Sequence, residues 1–398
     1  MPALDDDALW RADERRLAVG RSAHFAAERR VDFDPWHHGA WDTTAEGRAR
    51  WRLRIRSLGA QSLSLALDRF VPTPKSQLWI EGRPGTERLG PFDASDVDAH
   101  GSLWIPPLTG DRLTLVVVLP VQEIDAFDLH VGRIHHGYAG FGDQASSGSC
   151  HPDAACSPVG SWQEAASAVG LLTIDGVRYC TGFLVNNTAR DRRPLLLTAH
   201  HCGITRANAA SVVVLWGQRQ DVCGGAESPA LRFQTGAKVL AAMPHNDLTL
   251  LELDDPAPAN AAFVGWDRSD DEPRRAATLH HPNTDHLRLA VAADLRTTRH
   301  LEDQRLRGAD HLRVVWRLGS TEGGSSGAPL LDEAGRAVGV LHGGYAACGD
   351  DGADWFSRLS AAWDSGLLPA TRLRDWLDPL ETQAPVLDLL APRAAPAP

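Results

Sequence analysis

Lysine is almost absent from this chain of 398 residues: only Lys75 and Lys238 occur, against 38 arginines (40 basic residues minus 2). Codon bias in a GC-rich gene accounts for such a skew. Basic charge as a whole is in deficit, with a formal net charge of −11 and a pI near 5.8. That sign argues against nucleic acid and anionic membrane as the main partner, because both need a basic face. Long apolar runs are missing too. The longest, Leu113–Val121, has strand length and falls well short of the roughly 20 residues of a membrane span. The opening residues, MPALDDDALWRADERR, contain no apolar stretch of the kind an export signal carries. Cysteine is missing from the first 149 residues, and no C-x-x-C pair occurs, which counts against a zinc site.

The six cysteines that are present, Cys150, Cys156, Cys180, Cys202, Cys223 and Cys348, all lie in the later part of the chain. An even number in one region suggests disulfides and an oxidising compartment. A secreted protein, extracellular or periplasmic, is therefore expected although no signal peptide is visible. Hydrophobic content of 43% and charged content of 23% fit soluble globular domains, and the length suits two or three of them.

Patterning divides the chain. Residues 1 to about 44 are charged and weakly patterned. From Trp51 the period is two: in WRLRIRS, Trp51, Leu53 and Ile55 share one face and arginines take the other. Further short strands follow, separated by Gly, Pro and Asp clusters, as in an all-β sandwich. This N-terminal unit is expected to span residues 1–143. After the joint QASSGSC (Gln144–Cys150) comes a second strand-rich region, 144–380, with no βαβ alternation, which favours antiparallel barrels or a sandwich. The segment ATRLRDWLDP, with Leu373, Trp376, Leu377 and Leu380 at helical spacing, predicts a closing helix. A Pro/Ala-rich tail, disordered toward its end, is expected over 381–398.

Three stretches carry chemistry. LLLTAHHCG (Leu195–Gly203) ends an apolar strand on two histidines and a cysteine; TEGGSSGAPLLD (Thr321–Asp332) surrounds a serine pair with glycine. Glycine-rich backbone can approach a reacting carbonyl and aim N–H groups at its oxygen. A serine hydroxyl needs a base to become nucleophilic, and a histidine base needs a carboxylate to fix its tautomer. Asp247, in HNDLTLLELD at the mouth of an apolar strand, is the candidate. A metal held by His200 and His201 is disfavoured, since adjacent strand residues point to opposite faces. The pairs His37/His38, His135/His136 and His280/His281 read as structural or surface features.

TAHHC, NDLTLLEL and GSSGAP resemble the three catalytic segments of the trypsin/chymotrypsin-like serine peptidases. FLVNNTARDRRPLLLTAHHCG, GWDR, HHPN, VGVLHGG and RLRDWLDP are similar, in order, to the bacterial lysyl endopeptidase branch. The likeness covers about 147–379, and the N-terminal region resembles the pro-region of related proteins. The resemblance implies a chymotrypsin-like double antiparallel β-barrel preceded by an N-terminal β-sandwich. It implies a triad of His201, Asp247 and Ser326, with the backbone N–H groups of Gly324 and Ser326 as oxyanion hole. It implies bridges Cys150–Cys348, Cys156–Cys223 and Cys180–Cys202. Specificity for lysine before the cut would rest on Asp354, with Asp350 and Asp351 as alternatives and His342, Gly343 and Gly344 as pocket wall. An enzyme cutting only after lysine would also spare a chain with two lysines. No metal or organic cofactor is implied. The expected partners are protein or peptide substrates, with no nucleic acid or membrane, and the expected state is a monomer.

Two departures stand out. Ser325 occupies the position where animal trypsin-like enzymes carry the aspartate that pairs with the new N-terminal amine. The branch also stacks a tryptophan on the histidine of LHGG, and none occurs near His300–Gln304. The rival readings are a catalytically silent binding protein, a peptidase of broader Lys/Arg specificity, and an esterase of another fold. The chain order and the lack of a G-x-S-x-G elbow before a helix count against the last.

Overall fold

The structure, a computed structural model, describes residues 4–17, 22, 24–83, 87–97, 100–141, 147–157, 159–220, 222–225 and 232–393. The chain divides into two compact units. One comprises Met1–Arg15, His24–Phe141 and Asp175–Arg178; the other comprises Arg16–Ala23, Gly142–Ile174 and Tyr179–Pro398. Part of the joint, residues 144–146, lies outside the described residues, as do 394–398 at the end of the tail.

The first unit is built from two antiparallel sheets, as a β-sandwich requires. One has four strands in the order Ala26–Phe33, Asp128–Gly137, Ser62–Val71, Leu103–Thr109; the other has five, Ala40–Thr43, Ala49–Arg56, Arg112–Leu119, Gln77–Glu81, Arg88–Phe92. The period-two reading holds: Trp51, Leu53 and Ile55 are buried, while Arg52 is half-buried and Arg54 and Arg56 are exposed. The N-terminal stretch is more regular than its sequence suggests. A helix, Asp6–Leu17, opens it, and Asp6 and Asp7 in its first turn favour the helix N-terminus electrostatically. Too few apolar residues recur along it to announce it by periodicity.

The second unit is all-β, with one closed six-stranded barrel and a half-barrel. One sheet runs Arg232–Thr235, Val213–Trp216, Val169–Ile174, Arg178–Leu184, Leu195–Ala199, Leu248–Leu253, Ala237–Met243. The other runs Pro329–Leu331, Ala277–His280, Arg288–Thr298, His311–Leu318, Ala353–Arg358, Ala337–Gly344, Trp266–Asp267, Val386–Leu387. One apolar cluster joins them, drawing Leu196, Leu197 and Leu250 from the first and Leu279, Leu289 and Val340 from the second. Burying each such leucine contributes about 1.5–3 kcal/mol, so both sheets are rigid where they meet.

Two features near the C-terminus differ from expectation. The closing helix is a single turn, Arg374–Leu377, after a 3₁₀ turn at Pro369–Thr371. Leu373 and Leu377 are buried in the shared core, whereas Leu380 is exposed. With Pro369 fixing its entry and Pro379 unable to donate an N–H, the segment has no room to propagate. Past residue 380 the chain adds the strand Val386–Leu387 antiparallel to Trp266–Asp267, and Leu390 bridges Phe263.

Candidate active site

The strand Leu195–Ala199 is wholly buried and pairs in register with Leu248–Leu253, Ala199 opposite Leu248. Two candidate residues lie just beyond the paired ends. His200–Cys202 form a 3₁₀ turn closed by Gly203 at φ 76°, and Asp247 precedes its strand at φ 48°. Register therefore places the histidines beside the carboxylate. His201 Nδ1 donates to Asp247 Oδ2 at 2.7 Å, and the His201 backbone N–H donates to Oδ1 at 2.8 Å. Asp247 pays for this placement with an uncommon left-handed backbone, a conformation that functional sites accumulate. His200 points elsewhere, its Nδ1 3.1 Å from Thr249 Oγ1.

Ser326 arrives from the other sheet, in the turn before Pro329–Leu331. Its Oγ lies 2.8 Å from His201 Nε2. With Nδ1 donating to a carboxylate, Nε2 carries the lone pair and accepts the serine proton. Burial opposes charge on Asp247, yet the His201 hydrogen bond and the neighbouring His201 and His342 rings hold its carboxyl below the usual range. It is only 4% exposed and remains ionised.

Backbone sterics shape the serine turn. Gly324 and Gly327 both have φ of +89°; a Cβ on Gly324 would lie 2.3 Å from the Tyr179 ring, and one on Gly327 2.2 Å from Thr181 O. Neighbouring groups have partners: Glu322 N–H donates to Ser325 Oγ, Ser325 N–H to Glu322 O, and Gly327 N–H to Leu341 O. Among the described residues, no protein acceptor pairs with the N–H of Gly324 or Ser326.

The six cysteines form three disulfides, Cys150–Cys348, Cys156–Cys223 and Cys180–Cys202. The last ties the residue after His201 to the strand Arg178–Leu184. Asp354 lies in the strand Ala353–Arg358, 1% exposed, opposite Gly344. Its Oδ2 accepts from Trp316 Nε1 at 2.7 Å and Thr321 Oγ1 at 2.6 Å. Burial pushes its carboxyl above the usual aspartate range. Among the described residues no cationic side chain pairs with it. Asp350 and Asp351 are exposed. Gly344 must stay small, since a Cβ there would lie 2.6 Å from Asp354 Oδ1.

His342 reaches the same centre. Its ring stacks on His201 with centroids 5.8 Å apart, and its Nε2 lies 3.6 Å from Asp247 Oδ2. Burial drives its pKa down to about 3, so the contact with Asp247 is one of a neutral ring. Where the sequence offers no tryptophan to stack on it, His300 does so, face to face at 3.7 Å. His311 Nε2 lies 3.1 Å from His342 Nδ1. Buried His280 also has a part the sequence did not show, its Nδ1 2.7 Å from Ser325 Oγ. No local signal marks these three, because each acts through neighbours remote in sequence.

The family described as lysyl endopeptidase, C-terminal domain, matches residues 144–357, and lysyl endopeptidase N-terminal domain matches 5–138. A lysyl endopeptidase of Pseudomonas aeruginosa is 29% identical over 364 residues, covering 81% of this chain and 75% of that protein. Among solved structures, the active form of the Rv3671c protease from M. tuberculosis is 17% identical, covering 54% of this chain and 85% of its own, with a TM-score of 0.36. An HtrA-type protease AlgW with tripeptide is 14% identical, covering 50% and 58%, with a TM-score of 0.33. The chain belongs to the lysyl endopeptidase family and is a trypsin-like serine endopeptidase.

Proposed function

We propose that this endopeptidase cuts after lysine through an acyl-enzyme formed on Ser326. His201 takes the serine proton as general base and returns it to the leaving amine. Asp247 holds the productive tautomer and stabilises the imidazolium that forms. The N–H groups of Gly324 and Ser326 receive the oxyanion of each tetrahedral intermediate. The supporting observation is the unbroken line Asp247–His201–Ser326, with contacts of 2.7 and 2.8 Å. Ser326→Ala and His201→Ala should each lower kcat by about 10⁶, and the double variant should be little worse, because the residues act as a unit. Ser326→Ala with most of its activity intact would refute the assignment.

The lysine reading rests on Asp354. A buried carboxylate held only by neutral donors is complementary to an ammonium brought in by substrate, whose desolvation would otherwise reject it. His342, Gly343 and Gly344 would form the adjoining wall. We assign the unit before residue 144 as a pro-domain that aids folding or blocks the site until a cut within Gln144–Ser149. Export to an oxidising compartment accords with three disulfides. Among the described residues no helix is long and apolar enough to cross a membrane.

A further inference from the structure

The later part of the joint is tied to the serine turn by one side chain. Gly148 N–H donates to both oxygens of Glu322, at 3.1 and 3.2 Å. Asn283 Nδ2 donates to Oε2 at 2.6 Å, and His151 Nε2 lies 3.2 Å from Oε1. Position 148 admits only glycine: a Cβ there would lie 2.3 Å from Cys348 Sγ and 2.5 Å from Glu322 Oε1. On either side the chain is pinned again. Ser147 Oγ donates to Asp285, which Arg288 clasps through two hydrogen bonds of 2.9 and 3.1 Å, and Cys150 is bridged to Cys348.

Glu322 is also the first residue to brace the turn carrying Gly324 and Ser326. Its N–H donates to Ser325 Oγ at 3.1 Å and its carbonyl accepts the Ser325 N–H at 3.0 Å. Gly323 O accepts the Asn283 N–H at 2.6 Å, so Asn283 holds both the carboxylate and the backbone of this segment. Gly324 O accepts Thr181 Oγ1 at 2.9 Å. Ser325 is engaged by Glu322 and by His280, with no carboxylate of its own to offer a new N-terminal amine.

We propose that Glu322 is a positioning residue that holds the oxyanion turn in its working conformation through the peptide N–H of Gly148, so that the turn needs no α-ammonium released by chain cleavage. This rests on the assignment of Gly324 and Ser326 as oxyanion donors. The donor is an amide, present in the uncut chain and unable to lose its proton at working pH, whereas an α-ammonium titrates at about 7.7–8.0. A cut in the joint ahead of Ser147 leaves this amide, and with it the turn, unchanged. The titratable groups facing Glu322 among the described residues are His151 and, across Ser147, the Asp285–Arg288 pair.

The test folds the full chain, lets it mature, and measures kcat and KM on a small activated ester from pH 7 to 10. Glu322→Gln, which halves the acceptor set and removes its charge, should lower kcat about 10²-fold at nearly constant KM, the cost of a misplaced reacting geometry. Wild-type kcat should hold level from pH 8 to 10 and survive acetylation of the α-amine. Wild-type kcat in Glu322→Gln, a fall in wild-type kcat across pH 8–10, or loss on acetylation would each overturn the proposal. Where a variant fails to fold, the two wild-type measurements decide. Ser326→Ala separates the layers: an inactive Ser326→Ala beside an unimpaired Glu322→Gln overturns the anchor alone, while an active Ser326→Ala overturns the catalytic assignment.

Discussion

Replacing Asp354 with asparagine keeps an oxygen for Trp316 Nε1 and Thr321 Oγ1, the side-chain donors at 2.7 and 2.6 Å, while it removes the charge and one of the two acceptor oxygens. In the complex with a lysyl substrate the side chain would then face a buried ammonium without a counter-ion. Breaking one partner of a buried ion pair costs about 3–5 kcal/mol. At about 1.4 kcal/mol per decade, kcat/KM for lysyl peptides should fall roughly 10²–10⁴-fold. Cleavage after phenylalanine, which brings no ammonium, should change far less. In the free enzyme the substitution acts the other way. Burial raises the Asp354 pKa, so the folded state binds its proton more tightly than the unfolded chain does, and stability is lost as pH rises through the folded pKa. At neutral pH, Asp354→Asn should therefore stabilise the fold. The assay is a peptide panel with Lys, Arg, Phe or Glu before the scissile bond, run on both proteins beside urea denaturation. An unchanged lysine preference would move the role to Asp350 or Asp351, and wild-type preference for Phe or Glu would refute the pocket altogether.

Asp247→Asn should keep the fold and lower kcat about 10⁴-fold, because an amide at this position favours the wrong His201 tautomer; a loss below tenfold in steady-state kinetics contradicts the role. Replacing both Cys180 and Cys202 with alanine opens a loop of sequence separation 22 and should cost about 3 kcal/mol in denaturant unfolding, with kcat falling as the His201 turn loosens. A stability equal to wild type would show that the bridge does not constrain the unfolded chain.

The site was legible where chemistry is written locally. His201, Asp247 and Ser326 each stand in a short segment whose apolar strand and turn glycines fix the backbone, and strand register then does the rest. The resemblance points to Asp354, with Asp350 and Asp351 as alternatives; burial separates the three, and sequence does not display burial. His300 escaped notice because stacking on His342 depends on shape in space, and an imidazole fills the place where a tryptophan was sought. Glu322 was read as part of a glycine-rich turn; its contact with Gly148 spans 174 residues and leaves no periodic trace. The helix Asp6–Leu17 carries no periodic signal because it is polar nearly all round, whereas Ala370–Pro379 promised more helix than Pro369 and Pro379 allow.

The catalytic assignment is tested most directly by labelling with a fluorophosphonate, which reacts only with an activated serine, followed by peptide mass mapping. The expected result is a single adduct on Ser326 in the peptide spanning GGSSGAP, absent in Ser326→Ala and lost in His201→Ala, whose serine has no base at 2.8 Å. An adduct on another serine, or equal labelling in Ser326→Ala, would contradict the account.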